Sequence, residues 1–396
     1  MAGTRGRGPT LSKDMNRKLI YRTLKGQRTS TRTELAAALG LNKNTVNAIV
    51  EELMSAGYVR AIGLQDGGGG AGRRALGIAF EPAKRQAFGF QLANRSLIAV
   101  VTDLYGAPLE QAELPVAETE PQDVVDAMAG FVRERLAIAP DGTFVGLGLG
   151  VPAVVDPAGE RVVQSTHLGW TNVPLKALLA EALPLGITLL DNAVKLASQG
   201  ELWYGAGQGL KNFAYCSFGA GVGCSLVIDG EIVRGEAGFA GELGHIAVEP
   251  GGPPCSCGNA GCLEAVAGLT AICARLEAAT GKPFDAGRLA ASVREGHPAV
   301  RAEMERAGRA IGTALAGLVN LMNPRRIILD GPLMLASDSL LTVIAEEMCG
   351  KTLPFAFAQT EIVRSSLQPL SAAIGAAAGV VRDWERQEDP LGAIVF

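Results

Sequence analysis

Between His245 and Val266 the chain reads HIAVEPGGPPCSCGNAGCLEAV, gathering three of its seven cysteines and one of its three histidines into one short stretch. Nine residues separate His245 from Cys255, one separates Cys255 from Cys257, and four precede Cys262. Three thiolates and one imidazole complete a tetrahedral zinc shell with no open position, the donor set of a structural ion. Gly258 and Gly261 let the backbone turn tightly around such a centre. The other cysteines, Cys216, Cys224, Cys273 and Cys349, fall in apolar strand or helix patterns and read as core. Two carboxylates bracket the loop: Glu242, three residues before His245, and Glu264, two after Cys262. Carboxylates accept hydrogen bonds from vicinal hydroxyls. Fixed by a metal loop, the pair would hold a sugar ring; as lone surface acids they would face water.

A second set of reactive residue types lies near the other end. Residues 1–80 hold 13 Lys/Arg against 5 Asp/Glu, whereas the rest of the chain holds 23 against 35. A basic head on an acidic body points to nucleic acid at one end only. The stretch TRTELAAALGLNKNTVNAIVEELMSAGYV reads as helix, turn, helix. Thr33 is placed to cap the first helix, whose buried side is Leu35, Ala36 and Leu39. Gly40 suits the turn, and Asn42 is a good N-cap for the second helix. Val46, Ile49, Val50 and Leu53 follow at core spacing, and Leu19, Ile20 and Leu24 form one face of a preceding helix. Lys43, Asn44, Thr45 and Asn47 then occupy the exposed start of the second helix, where short polar side chains read a major groove. The strands YVRAIG and ALGIAF flank a glycine-rich tip that forms a wing, with Arg73 and Arg74 set to reach phosphate or a minor groove.

The elements that must position the first set follow from about Gln86. QAFGFQLA, SLIAVVTDLYG and PLEQAELPV read as strands, PQDVVDAMAGFVRERLAIA as an amphipathic helix, and FVGLGLGVPAVV and ITLLDN as further strands separated by a helix. A second unit of the same kind starts at KNFAYCSFGAGVGCSLVIDGEIV and ends with the helix SAAIGAAAGVVRDWE. Strands alternating with helices predict an α/β fold with largely parallel sheets, in two lobes with a ligand cleft between them. The 396 residues suffice for two or three domains, and 48% apolar content suffices for their cores. No apolar run of about 18 residues is present, and the basic N-terminus lacks an apolar signal core, so the expectation is a cytoplasmic protein without a membrane span.

The stretch GFAGELGHIAVEPGGPPCSCGNAGCLE resembles the zinc and sugar signature of the ROK family (repressor, open reading frame, kinase), and the winged head with its GAGRR segment resembles that family's repressors. The resemblance implies a winged helix-turn-helix domain over residues 1–80, followed by a two-lobed, actin-like (sugar kinase/ribonuclease H-like) domain. The first lobe would span 81–195, with a helix at 370–386 packing back on it, and the second, carrying the zinc loop and a dimerisation surface, 196–369. It implies Zn2+ on His245, Cys255, Cys257 and Cys262, and sugar contacts from Asn192, Glu242, His245 and Glu264, with one His245 ring nitrogen on the metal and the other facing the ligand. The family's kinases open the first lobe with an Asp-x-Gly-x-Thr-like phosphate loop and place their base in an Asn-Asp-Ala-Asn stretch. Here GFQLANRS puts Gln91, Ala93 and Arg95 in the loop, and NAVK puts Ala193 at the base and Lys195 at the second Asn. Alanine accepts no proton, so phosphoryl transfer is not expected. The implied function is a DNA-binding transcriptional regulator, a repressor, that binds a sugar or polyol effector and acts as a homodimer or homotetramer on an inverted-repeat operator in double-stranded DNA. The alternative is an ATP-dependent sugar kinase with an added DNA-binding domain.

Overall fold

Helix 1 of the head, α1 (Pro9–Gln27), buries Ile20, Tyr21 and Leu24. Leu19, expected on the same face, is 43% exposed. Ile20 and Leu24 define the seam at i, i+4, and Tyr21 takes its flank because its hydroxyl has a partner, donating to Glu385 Oε1 at 2.9 Å. After β1 (Thr29–Thr31), α2 (Arg32–Leu39) is capped by Thr31, not Thr33. The Thr31 hydroxyl accepts the Glu34 N–H while the Glu34 carboxylate accepts the Thr31 N–H, a reciprocal capping box that Thr33 has no glutamate to form. Gly40 closes α2 in the left-handed region, Asn42 caps α3 (Lys43–Ser55), and Val46, Ile49, Val50 and Leu53 are buried. The wing strands β2 (Val59–Gln65) and β3 (Ala75–Phe80) pair antiparallel, and β1 adds to the far edge of β3. The computed structural model describes residues 9–65, 75–93, 96–116, 120–140, 142–183 and 185–387. Arg73 and Arg74, expected at DNA, and Arg95 of the phosphate loop lie outside them.

In the first lobe β4 (Gln86–Ala93), β5 (Ser96–Thr102) and β6 (Pro108–Pro115) form an antiparallel meander. α4 (Pro121–Leu136) leads to β7 (Phe144–Val151), parallel to β4. A small side sheet of β8 (Val154–Val155), β9 (Val162–Ser165) and β10 (Trp170–Val173) follows, then α5 (Leu175–Ala182) and β11 (Ile187–Asn192), parallel to β7. The sheet order is β11-β7-β4-β5-β6. α6 (Ala193–Tyr204) crosses to the second lobe.

There β12 (Phe213–Phe218), β13 (Val222–Ile228) and β14 (Glu231–Ile232) form another antiparallel meander. The cysteine loop and helices α7 (Leu263–Ala267), α8 (Leu269–Thr280), α9 (Ala286–Arg294) and α10 (Pro298–Met322) precede β15 (Arg326–Asp330). α11 (Pro332–Ala336), α12 (Asp338–Lys351) and α13 (Pro354–Phe357) lead to β16 (Glu361–Arg364), and α14 (Ser371–Gln387) is the last described element. The order is β14-β13-β12-β15-β16, with β15 parallel to β12 and β16 parallel to β15. Three antiparallel strands followed by two parallel ones, made twice, constitute the two-lobed actin-like, sugar-kinase-type architecture.

Each lobe has its own apolar core, and a third core joins the head to the body. It contains Ile20, Leu24, Val46 and Leu53 together with Ala87, Leu104, Val145, Val380 and Trp384. Burying side chains of this size contributes roughly 1.5–3 kcal/mol each, so the head is welded to the first lobe and α14. The exchange is mutual between lobes: α6 packs on β12 and β13, while α14 returns to cover β4, β7 and β11. The two helices cross at Gly200 and Gly375; a Cβ at Gly200 would meet the Ser371 carbonyl oxygen at 2.8 Å. Cys216, Cys224 and Cys273 are buried as expected, whereas Cys349 is exposed. On α12 the buried row runs Leu340, Ile344, Met348, and Cys349 falls a full 100° off it. Among the described residues, no helix is long and apolar enough to cross a membrane.

Candidate functional site

The four expected metal ligands converge. His245, Cys255, Cys257 and Cys262 each offer one donor atom, and these atoms all lie within 4.8 Å of one another. The Cys257 and Cys262 sulfurs are 3.7 Å apart, as are Cys255 Sγ and His245 Nδ1. A tetrahedron with metal–sulfur bonds of about 2.3 Å has edges of roughly 3.8 Å, so these two separations match a zinc-sized ion. The loop is knitted by backbone bonds from Val248 to Gly261 and from Cys255 to Asn259. The Asn259 backbone N–H brings the exposed Cys257 thiol down to about 7, which favours the thiolate that a metal requires.

His245 closes a 3-10 turn, Leu243–His245, and its two ring nitrogens face different neighbours. Nδ1 is turned to Cys255, while Nε2 lies 4.0 Å from Glu242 Oε2. Glu264, in the first turn of α7, reaches the β12–β13 turn, where its Oε2 accepts the Val222 N–H at 2.9 Å. A Cβ at Gly221 would stand 2.5 Å from Glu264 Oε2, so a side chain there would have to displace that carboxylate. The same point is 3.1 Å from Nε2 of His167, which arrives from the first lobe on the β9–β10 connection. Asn192 ends β11 and caps α6: its Oδ1 accepts the Val194 and Lys195 N–H groups, and its Nδ2 donates to the Ala153 carbonyl at 2.9 Å. Its neighbour Asp191 is held by both terminal nitrogens of Arg234, and this pair lines a cleft of about 240 Å³ between α6 and α14. Lys195 is buried and donates to the Gly238 carbonyl.

Of the expected sugar-contact residues, Glu242 and His245 are neighbours on the second lobe, Glu264 stands against the β12–β13 turn, and Asn192 sits at the crossover from the first lobe. The sequence reading missed His167 and the Asp191–Arg234 pair. His167 carried a signal, since it is one of only three histidines; the small sheet that carries it is too short to read from apolar alternation. At the head, Lys43, Asn44 and Asn47 are exposed at the start of α3 and Thr45 is half-buried.

Residues 89–382 match the ROK family, and residues 14–60 match the family described as winged helix-turn-helix DNA-binding. Over 391 residues the chain is 26% identical to the xylose repressor of Caldicellulosiruptor bescii, spanning 94% of this chain and 97% of that repressor. A solved ROK family transcriptional regulator, a homologue of the Escherichia coli MLC protein, has a TM-score of 0.76 at 24% identity, covering 97% of this chain and 98% of its own. A ROK hexokinase from Thermus thermophilus has a TM-score of 0.64 at 27% identity and covers 76% of this chain and 99% of its own. The two regulators thus match nearly end to end, whereas the hexokinase is used up by about three quarters of the chain.

Proposed function

Since the chain belongs to the ROK family, we propose that it is a DNA-binding transcriptional repressor whose kinase-like body binds a sugar or related polyol as effector without phosphorylating it. The observation that carries this reading is the shared core between the winged head and the ligand-binding body. Tyr21 and Lys25 of α1 both bond Glu385 of α14, and α14 crosses α6, whose first residue follows Asn192. An effector that draws the lobes together moves α6 against the second sheet, and α14 passes that movement to the head. The effector shifts DNA affinity only to the extent that it binds the open and closed arrangements differently.

Zinc on His245, Cys255, Cys257 and Cys262 has a structural role in this reading: it fixes the loop that presents Glu242 and His245, and a closed ligand shell leaves it no substrate position. Glu242, His245, Glu264 and Asn192 hold the effector's hydroxyls. Ala193 offers no base to position a hydroxyl for phosphoryl transfer. Lys43, Asn44, Thr45 and Asn47 enter the major groove, with Arg73 and Arg74 on phosphate or in a minor groove. The domains divide at about residues 80 and 195, the protein works in the cytoplasm, and a homodimer or homotetramer with its dimerisation surface on the second lobe matches an inverted-repeat operator. The test is a gel-shift titration of operator DNA against a carbohydrate library. Release or capture by one sugar class is expected, and operator binding indifferent to every carbohydrate removes the sensing half.

The similarity to a hexokinase favours one rival reading, an ATP-dependent sugar kinase with an added head. A coupled ADP-release assay over hexoses and pentoses decides it: sugar-dependent turnover near 1 per second, ordinary for an enzyme, establishes the rival.

A further inference from the structure

His167 is exposed, and its ring makes no hydrogen bond or ion pair among the described residues. The turn that carries it is nevertheless pinned. Ser165, at the end of β9, donates its hydroxyl to the Pro152 carbonyl at 2.8 Å and accepts the Leu168 N–H at 3.3 Å. The adjacent carbonyl, that of Ala153, accepts from Asn192 Nδ2. Two consecutive carbonyls thus anchor the His167 turn and the Asn192 side chain. The small sheet of the first lobe comes against the second lobe at two points. A Cβ at Gly238 would stand 3.7 Å from the Val155 carbonyl oxygen, and one at Gly221 would stand 3.1 Å from His167 Nε2 and 2.5 Å from Glu264 Oε2. Measured through that last point (3.1 and 2.5 Å), Nε2 and Oε2 are at most 5.6 Å apart, yet they form no ion pair within 4.0 Å. The gap is too wide for a direct hydrogen bond. One oxygen at about 2.8 Å from each atom spans it. Glu264 Oε2 accepts only the Val222 N–H, which leaves it a lone pair for that oxygen.

We propose that His167 is an effector-binding residue supplied by the first lobe, and that its Nε2 and Glu264 Oε2 grip one and the same ligand hydroxyl. The hydroxyl donates to the carboxylate and accepts the imidazole N–H. This rests on the sugar-sensor reading above and gives it a trigger. Glu242, His245 and Glu264 all belong to the second lobe, so their bonds to a ligand do not depend on where the first lobe stands. A hydroxyl shared between His167 and Glu264 is held only while the lobes are together. It is a contact made in one arrangement and lost in the other, which is what a ligand needs to shift the balance between them.

The experiment uses the full-length protein purified with zinc present. Isothermal titration calorimetry with a panel of neutral aldohexoses, aldopentoses, N-acetylhexosamines and alditols finds the tightest-binding compound. Its monodeoxy analogues are then titrated into the parent, His167→Ala, His167→Gln and Glu264→Gln. His167→Ala is expected to bind the intact compound about 3- to 10-fold more weakly, the range of one hydrogen bond. His167→Gln, whose amide N–H stands near the place of Nε2, is expected to recover most of that loss. Removing one particular hydroxyl is expected to weaken binding to the parent and to cost little further in His167→Ala or in Glu264→Gln. His167→Phe keeps a planar ring without a donor and gives the same reading if the alanine variant does not fold. A uniform loss across the deoxy series, which a merely structural role produces, overturns the proposal. So do two variants that lose sensitivity to different hydroxyls, and an alanine variant with parental affinity. Each of these leaves the sensor reading standing. A panel in which no compound binds or alters operator affinity removes the sensor reading and the proposal with it.

Discussion

The two lobes repeat one topology, and their first hairpins have diverged in an instructive way. In the first lobe the β4–β5 turn follows QLA and contains no glycine; in the second the β12–β13 turn is FGAGV. A glycine-rich turn at this place in a kinase-like fold invites a phosphate-binding explanation. The structure offers another. Gly221 leaves the space of its missing Cβ to the Glu264 carboxylate, which the next backbone N–H holds. The second lobe keeps its glycine for a carboxylate beside the metal loop. Sequence alone does not separate these two uses of one glycine, because the partner that distinguishes them lies 43 residues away.

The contrast can be broken most forcefully at the candidate metal site. Cys257→Ser takes one ligand from the loop that fixes His245, and it is expected to lose bound zinc and on the order of 3–5 kcal/mol of stability. Elemental analysis and chemical denaturation check it, and unchanged metal content contradicts the assignment. Next in size is Gly221→Ala, which drives a methyl group into the Glu264 carboxylate. A cost of about 1–3 kcal/mol and a blunted effector response are expected. The mirror change in the first lobe, Ala93→Gly, is expected to cost under about 1 kcal/mol and to leave the effector response intact. Equal responses of the two turns would mean that the lobes have not diverged in use.

A third change tests what each lobe carries: the first bears the head, the second the cysteine loop. Glu385→Ala strips the acceptor from the buried Tyr21 hydroxyl and from Lys25. Leaving a buried donor unpaired costs roughly 1–3 kcal/mol, and the loss is expected at the head–body junction. Hydrogen exchange should rise in α1 and the adjoining face of α14, with effector affinity unchanged. Protection lost evenly across both lobes would mean that the junction is not a local seam.

Much of this was legible because it depends on local chemistry. The four candidate metal ligands declare themselves by type and spacing, and the Asn42 cap and the α3 core by position; the strand order does not, and where alternation predicts largely parallel sheets each five-stranded sheet is half antiparallel, because a hairpin meander opens each lobe. The misreadings have physical causes too. Thr33 competed with Thr31 for one cap, and the glutamate three residues after Thr31 decided it. Leu19 lost its place to Tyr21, whose partner Glu385 lies 364 residues away. His167, the Asp191–Arg234 pair and the burial of Lys195 all arise where the lobes or their crossover elements meet. Such contacts join residues far apart in sequence and leave no periodicity to detect.

The smallest expected effect lies where the crossovers from both lobes converge. Glu201 of α6 is fully buried and accepts the Ser365 hydroxyl and the Ala206 N–H. The Ser365 and Ser371 hydroxyl oxygens lie 3.0 Å apart, and Ser371 donates to Asp330, which also accepts from Tyr215. Burial raises the Glu201 carboxyl above its ordinary range, against the opposing pull of its two donors. A raised folded-state pKa means that the folded protein binds this proton more tightly than the unfolded chain. The contribution is therefore complete below the unfolded value, about 4.3, and is lost as pH rises through the folded value. Glu201→Gln mimics the protonated form: its carbonyl oxygen keeps the Ala206 N–H, and its amide donates to Ser365 once that hydroxyl rotates. The variant is expected to melt roughly 1–3 °C above the parent at pH 8, with the gap closing towards pH 4. A variant that melts below its parent at pH 8 would show that the ionised carboxylate stabilises the hinge, and that the serine chain, with Ala206, offsets its desolvation.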